Sequence, residues 1–372
     1  MRFLHKKWRG ASIVAVSFIV IFTGLLVFTQ HNQSFYEDPI AEVKETTVVD
    51  EAEQTIDGEA VDTVYTQEIE AILKNGEHIG ETITLINDYA DSGVYHPEFT
   101  EGDQLFVTYD QTDNELTGDV IHVKRDHQLV WLSGLFLLVL IAVGKRRGVL
   151  AGVSLMVNIL IISYALDVYI ATQNISLLVI MSVAVVLMTA FSLLLISGFT
   201  YQTYAAITAT ILGTFSLMAI TLSVLLLTDY QGLRFEEMDF LTRPPQAVFM
   251  AGVLIGALGA VMDVAVTIAS TLFSLADKNR NISNRDLKQS GLEVGKDIMG
   301  TMTNILFFAY VSGAIPALLV YFSNGAPLGF TLSMNLSLEL TRALAGGIGI
   351  VLTIPISLYT TIYFINRKRV SV

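Results

Sequence analysis

Apolar residues gather into eight long blocks, 11–29, 129–144, 149–166, 175–199, 204–227, 246–272, 298–322 and 343–365. A helix rises ~1.5 Å per residue and a bilayer core is ~30 Å thick, so ~20 apolar residues cross it. Each block therefore predicts a transmembrane helix. The second is the shortest, at 16 residues; Trp131 anchors it, and Lys145 and Arg146 extend it by snorkelling. Between the first two blocks the pattern changes twice. Residues 31–62 hold ten carboxylates and one lysine, show neither helical nor strand periodicity, and predict a flexible acidic linker. From Thr63 onward, segments 63–73, 79–87, 103–109 and 119–124 are rich in Val, Ile, Thr and Tyr and bounded by turn residues. They predict the strands of a small β-barrel of the OB or a similar kind. Asn75-Gly76, between the first two, predicts a tight type I′ hairpin.

The expected fold is an α-helical polytopic membrane protein of eight spans with a small exported OB-like β-barrel. Its parts are a basic cytoplasmic N-terminus and signal-anchor helix (1–30), the linker (31–62), the β-domain (63–126) and a seven-helix membrane domain (127–372). Composition agrees. Of 372 residues, 52% are hydrophobic and only 15% charged, with a mean hydropathy of +0.57; soluble chains carry about 25% charged residues. A cytosolic enzyme, a nucleic-acid binder and a disordered scaffold are excluded.

Charge is unevenly spread. Of 35 acidic residues, 24 lie from Glu37 to Asp126, against four basic ones there. With the N-terminus inside and eight alternating spans, 15 of the 22 basic residues face the cytoplasm. They cluster at Arg2–Arg9, Lys145–Arg147, Lys278–Lys296 and Arg367–Arg369, which also places the C-terminus inside. The first apolar core runs 19 residues without a small-x-small exit, so an uncleaved anchor in the plasma membrane is expected. The chain has no cysteine, which removes disulfides and thiolate chemistry. His78, His96, His122 and His127 lack metal-ligand spacing and read as solvated surface groups.

An ionised side chain inside a span costs about 2.5–3.5 kcal/mol on insertion scales, so each needs a reason. Asp263 follows a glycine-rich run in which Gly252, Gly256 and Gly259 share a face and suit close helix packing. Asp263-Val-Ala-Val-Thr267 and Asp297-Ile-Met-Gly-Thr301 repeat one pattern, a hydroxyl one turn beyond a carboxylate, and Asn304 continues the second face. Three readings stand. The pair could form a shared proton or cation site built from Asp263, Asp297, Thr267, Thr301 and Asn304. Alternatively, Asp297 caps the seventh helix and Asp263 is interhelical glue, or the two acids form a catalytic pair. Glu339 and Arg342, three apart, predict an interfacial ion pair.

Enzyme signatures fail on inspection. Gly291-Leu-Glu-Val-Gly295-Lys296-Asp297 has the wrong spacing and the wrong residue after Lys for a phosphate loop. No intramembrane histidine accompanies a serine, and the Gly-x-Gly-Asp loop of membrane aspartyl proteases is absent. Neither an enzyme nor a cofactor nor a metal is expected.

The stretch from Met262-Asp-Val-Ala-Val-Thr-Ile-Ala-Ser to Ser290-Gly-Leu-Glu-Val-Gly-Lys-Asp-Ile-Met-Gly-Thr-Met-Thr-Asn304 resembles the YibE/F-like family of bacterial membrane proteins. The resemblance covers roughly residues 60–365, and the anchor and exported domain are similar to the longer members. It implies a partner beyond the lipid bilayer, either a shorter YibE/F-like homologue or a second copy, and implies no substrate. The expected function is a transporter or permease component with a proton- or cation-binding cluster. The alternative is an exported ligand-binding or scaffold module that the bundle merely anchors.

Overall fold

A computed structural model of the protein describes residues 18–56, 60–93, 97–112, 115–172, 175–238 and 243–370. The basic N-terminus, the first part of the 11–29 span and His96 lie outside them. The chain divides into two compact units, one ending at Val143 and one beginning at Gly144.

The first unit contains helix α1 (Phe18–Gln30), five strands and helix α2 (Asp126–Gly144). The strands are β1 (Ile40–Ile56), β2 (Ala60–Leu73), β3 (Thr82–Ala90), β4 (Gln104–Thr112) and β5 (Glu115–Val123). They are ordered β1-β2-β3-β5-β4, and the sheet closes where β4 returns to β1. Alternation drives the closure: Ile69, Ala71 and Leu73 on β2 and Ile83 and Leu85 on β3 point inward and are fully buried. Gly118 is required on β5, because a Cβ there would lie 1.9 Å from the Thr108 carbonyl oxygen of β4.

Two expectations need correction. Residues 31–62 are not a linker throughout, since Ile40–Ile56 is the longest strand of the sheet. From Thr47 to Glu53 the β1 side chains are exposed on both faces, so no apolar alternation marks that stretch. Nor is Asn75-Gly76 a tight hairpin; residues 74–81 form a longer loop between β2 and β3. Asn75 instead fastens the approach to β1. Its Oδ1 accepts from Ile40 N at 2.6 Å, and its Nδ2 donates to the carbonyls of Gln33, Tyr36 and Asp38. His127 is also more than a solvated group, lying 3.4 Å from the Thr29 hydroxyl and accepting from Trp131 Nε1 at 3.1 Å.

Glu42 on β1 is held by Lys44 and, through its other oxygen, by Lys74 at 2.6 Å. The Lys44 hydrogen bond, then that of Lys74, keeps its carboxyl below the usual carboxylate range. A carboxyl depressed by folding stabilises the fold above its unfolded pKa of ~4.3, and that contribution fades as pH falls through the folded value. Thermal unfolding followed by strand circular dichroism should therefore lose stability below about pH 4.5 more steeply in wild type than in Glu42→Gln. Equal slopes would remove this role.

The second unit is helical: α3 (Arg146–Ala171), α4 (Leu177–Ser197), α5 (Tyr201–Leu227), α6 (Pro245–Lys278), α7 (Asn284–Ser323) and α8 (Ser337–Val370). With α2, seven helices among the described residues are long and apolar enough to cross a membrane, and α1 is a shorter apolar helix. Start signals match the chemistry. Thr200 accepts from Thr203 N at 3.2 Å ahead of α5, and Pro245 opens α6. Buried residues of α6 and α8 dominate the core, where Val264, Ile268 and Leu272 pack against Ile350, Ile354 and Leu358.

Candidate functional site within the helical unit

On α6 the packed face is Val261, Val264, Ala265 and Ile268, all fully buried. At ~100° per residue, Asp263 falls on the opposite face, and it is exposed together with Gly256 and Gly259. Gly252 and Thr267 continue that strip and are half-buried. α6 is thus enclosed on most sides and open along one small-residue strip with a carboxylate in its middle. The glycines admit side chains here, not a helix backbone. A Cβ at Gly256 would lie 1.9 Å from the Tyr310 hydroxyl of α7, and one at Gly252 would lie 3.6 Å from Arg342 Nε of α8. Gly259 faces open space. Tight approaches fall elsewhere: a Cβ at Gly213 on α5 would be 2.4 Å from Thr353 Oγ1.

The capping role considered for Asp297 is not what the helix shows. α7 begins at Asn284, and its N-cap is Ser283, whose hydroxyl accepts from Asp286 N at 3.1 Å. Asp297 lies well inside the helix, where the amides already have helical partners. The buried face of α7 carries Leu287, Gly291, Gly295 and Leu306, while Asp297, Thr301 and Asn304 are exposed together on the other side. Neither Asp263 nor Asp297 makes a hydrogen bond or ion pair among the described residues. No group of three or more His, Cys, Asp and Glu residues is placed to hold a metal there. The structure does not bring the five residues into one enclosed cluster; it sets them on two outward faces.

Sequence reasoning searched for charges and so passed over a second polar feature. Thr210 and Thr214 on α5, and Thr353, Ser357 and Thr361 on α8, are fully buried. The Thr353 hydroxyl donates to Gly349 O at 2.7 Å, and that of Ser357 to Ala265 O at 3.3 Å. The hydroxyls of Thr210, Thr214 and Thr361 have no partner among the described residues. In sequence these are ordinary hydroxyl residues at one-turn spacing, and their burial is visible only once the helices pack. At the start of α8 the expected Glu339–Arg342 ion pair is present. The Arg342 guanidinium stands 5.2 Å from the Phe249 ring centroid.

An exposed carboxylate on a span has three routes to neutrality: a proton, a cation, or donors from whatever surface covers it. The buried hydroxyls offer neutral oxygens only, which suit water more than a multivalent metal.

Residues 132–367 match the family model described as YibE/F-like protein, and residues 34–123 match that of the YibE/F family N-terminal domain. No curated protein and no solved structure matches the chain.

Proposed function

The chain belongs to the YibE/F-like family, and from that premise we propose that it is a transporter or permease component of the plasma membrane, binding a proton or small cation at Asp263. The observation that carries this is the place of Asp263: exposed, unpaired, and midway along the open strip of an otherwise enclosed helix. An intramembrane ionisable group without a structural partner is a functional site by default. Thr267 lies one turn beyond it. Asp297, Thr301 and Asn304 join the same site when a covering partner spans both faces, and that partner is a shorter family homologue or a second copy of the chain. The basic clusters support cytoplasmic termini and an extracytoplasmic segment 31–126. The closed five-strand order supports an OB-like reading of that domain. The reading involves neither enzymatic chemistry nor a cofactor.

The test is flux through the reconstituted full chain, driven by a pH or ion gradient. Asp263→Asn is expected to cut flux at least tenfold, and Asp297→Asn to cut it less. A wild type that passes none of the solutes tried, or an Asp263→Asn variant with unchanged flux, would remove the proposal. One feature favours a second reading, in which the exported domain binds a ligand and the bundle anchors it: the strands pack with α1 and α2 as a compact unit of their own. Loss of phenotype on deleting 63–125, with both Asp→Asn variants normal, would select it.

A further inference from the structure

The inward face of the sheet does not end with its apolar core. Going outward along β2 it reads Ile69, Gln67, Tyr65, and along β3 Leu85, Asn87, Tyr89. Register pairs Tyr65 with Tyr89, and their rings stack at a centroid distance of 5.1 Å and an interplanar angle of 21°. The segment Pro97–Phe99 lies against the next pair inward, Gln67 and Asn87. It is tied down by Gln67 Nε2 donating to Phe99 O at 2.7 Å and Asn87 Nδ2 donating to Pro97 O at 3.1 Å. Asn87 is only 2% exposed, yet its Oδ1 has no partner among the described residues.

Carboxylates surround the stack. Glu51 stands opposite Tyr65 in the β1–β2 register. Glu51 and Asp91 act electrostatically on both rings, and Glu98 acts on Tyr89. All three are exposed, and none makes an ion pair among the described residues. Partial burial first, and these charges second, push both phenols above the usual tyrosine value.

Each of these features lacks the same complement. A stacked aromatic pair offers a negative ring face to a cation. Unpaired carboxylates call for positive charge, and a buried amide oxygen without a donor calls for an N–H group. A metal ion would satisfy the acids and leave the rings and Asn87 unserved. An anion or a nucleic acid would be repelled. We propose that this end of the exported barrel binds a small organic cation bearing ammonium N–H groups, of the linear amine or polyamine class. The rings hold the alkyl chain and charge, Glu51, Asp91 and Glu98 pair with the ammonium groups, and Asn87 Oδ1 accepts one N–H. The inference concerns the first unit alone and stands whether or not the bundle conducts.

The test is calorimetric titration of the full chain in detergent with spermidine as the probe. Spermidine is expected to bind. Glu51→Gln combined with Asp91→Asn, both at exposed positions, should weaken it at least tenfold, as should Tyr65→Leu. Glu68→Gln with Glu70→Gln, on the outward face of β2, should leave it unchanged. Tetramethylammonium, which has no N–H, should bind at least tenfold more weakly than spermidine. Absence of spermidine binding overturns the proposal. So does equal weakening by the outward-face pair, because general acidity would then account for binding. Unchanged affinity in the Glu51/Asp91 double variant, with its melting curve intact, overturns it too.

Discussion

Gly213→Leu is expected to keep α5 from seating on α8 and to cost the helical unit about 3 kcal/mol or more, roughly a hundredfold in the folded ratio. A Cβ at 213 would meet Thr353 Oγ1 at 2.4 Å and Val261 Cγ1 at 3.2 Å, so even alanine is overpacked there. Thr353 cannot step aside freely, because it is fully buried and its hydroxyl is bonded to Gly349 O. Gly349 is itself pressed by Leu217, whose Cδ2 would lie 2.9 Å from a Cβ there. The two helices therefore meet through small residues on both sides, as membrane helices do when lipid removes the hydrophobic drive for association. The check is thermal unfolding in detergent across four variants: Gly213→Leu, Gly213→Ala, Thr353→Ala and the Ala/Ala double. The double should be less destabilised than the sum of its singles, since removing Oγ1 frees the space that the new Cβ needs. If Gly213→Leu melts like wild type, the α5–α8 contact does not hold the bundle together.

The spans could be read from sequence because lipid leaves the chain few options: backbone groups in hydrocarbon must be bonded within a helix, and the residues around them must be apolar. Of the eight expected, seven are long and apolar enough among the described residues, and the structure moves their ends. α7 shows why, since its extension from Asn284 carries Arg285, Lys288, Glu293 and Lys296 and was invisible to a search for apolar runs. That extension also changes the meaning of Asp297, from a cap to a mid-helix side chain. β1 was hidden for the opposite reason. Strand alternation is a signal of burial on one face, and β1 is exposed on both from Thr47 to Glu53. Asn75 was recognised as a turn residue but not as the group that holds residues 33–40, because that role depends on partners more than thirty residues away.

The candidate site was legible in composition and illegible in direction. Asp263 could be singled out because a carboxylate among glycines and valines is conspicuous. Which way it points depends on which face of α6 the other helices take, and the apolar residues around it do not announce that. Val261 and Val264 are buried, while Asp263 between them is exposed. The glycines at 252, 256 and 259 were expected to pack closely against a helix, but the groups approaching two of them are side chains, Tyr310 and Arg342, and Gly259 meets nothing. A polar strip left open by its own bundle and the hydroxyls buried inside it are therefore distinct features. Removing the charge from the strip tests transport; removing the buried hydroxyls tests packing first.

Asp126→Asn is expected to destabilise the first unit by about 3 kcal/mol or more, through the lysine it leaves behind. Asp126 Oδ2 accepts from Asn32 Nδ2 at 2.8 Å and from Tyr36 hydroxyl and Lys124 Nζ, each at 3.0 Å. Lys124 also donates to the carbonyl of Thr29, and its side chain is only 3% exposed. The clasp thus joins the end of α1, the approach to β1, the end of β5 and the start of α2. Removing the carboxylate charge strands a buried ammonium, which is the costly half of breaking such a pair. Lys124→Met should cost less, about 1–2 kcal/mol, because Asp126 keeps Asn32 and Tyr36 and is partly hydrated. Lys124→Met with Asp126→Asn should then melt above Asp126→Asn alone, since the second change removes the stranded charge. Melting curves of the four proteins and protease sensitivity near residues 30–36 and 124–126 give the readout. Should Asp126→Asn melt with wild type, the chain is held at the membrane boundary by Trp131 and Phe22 packing instead. Their rings meet edge to face at 5.2 Å, and Trp131→Leu would then be the damaging change.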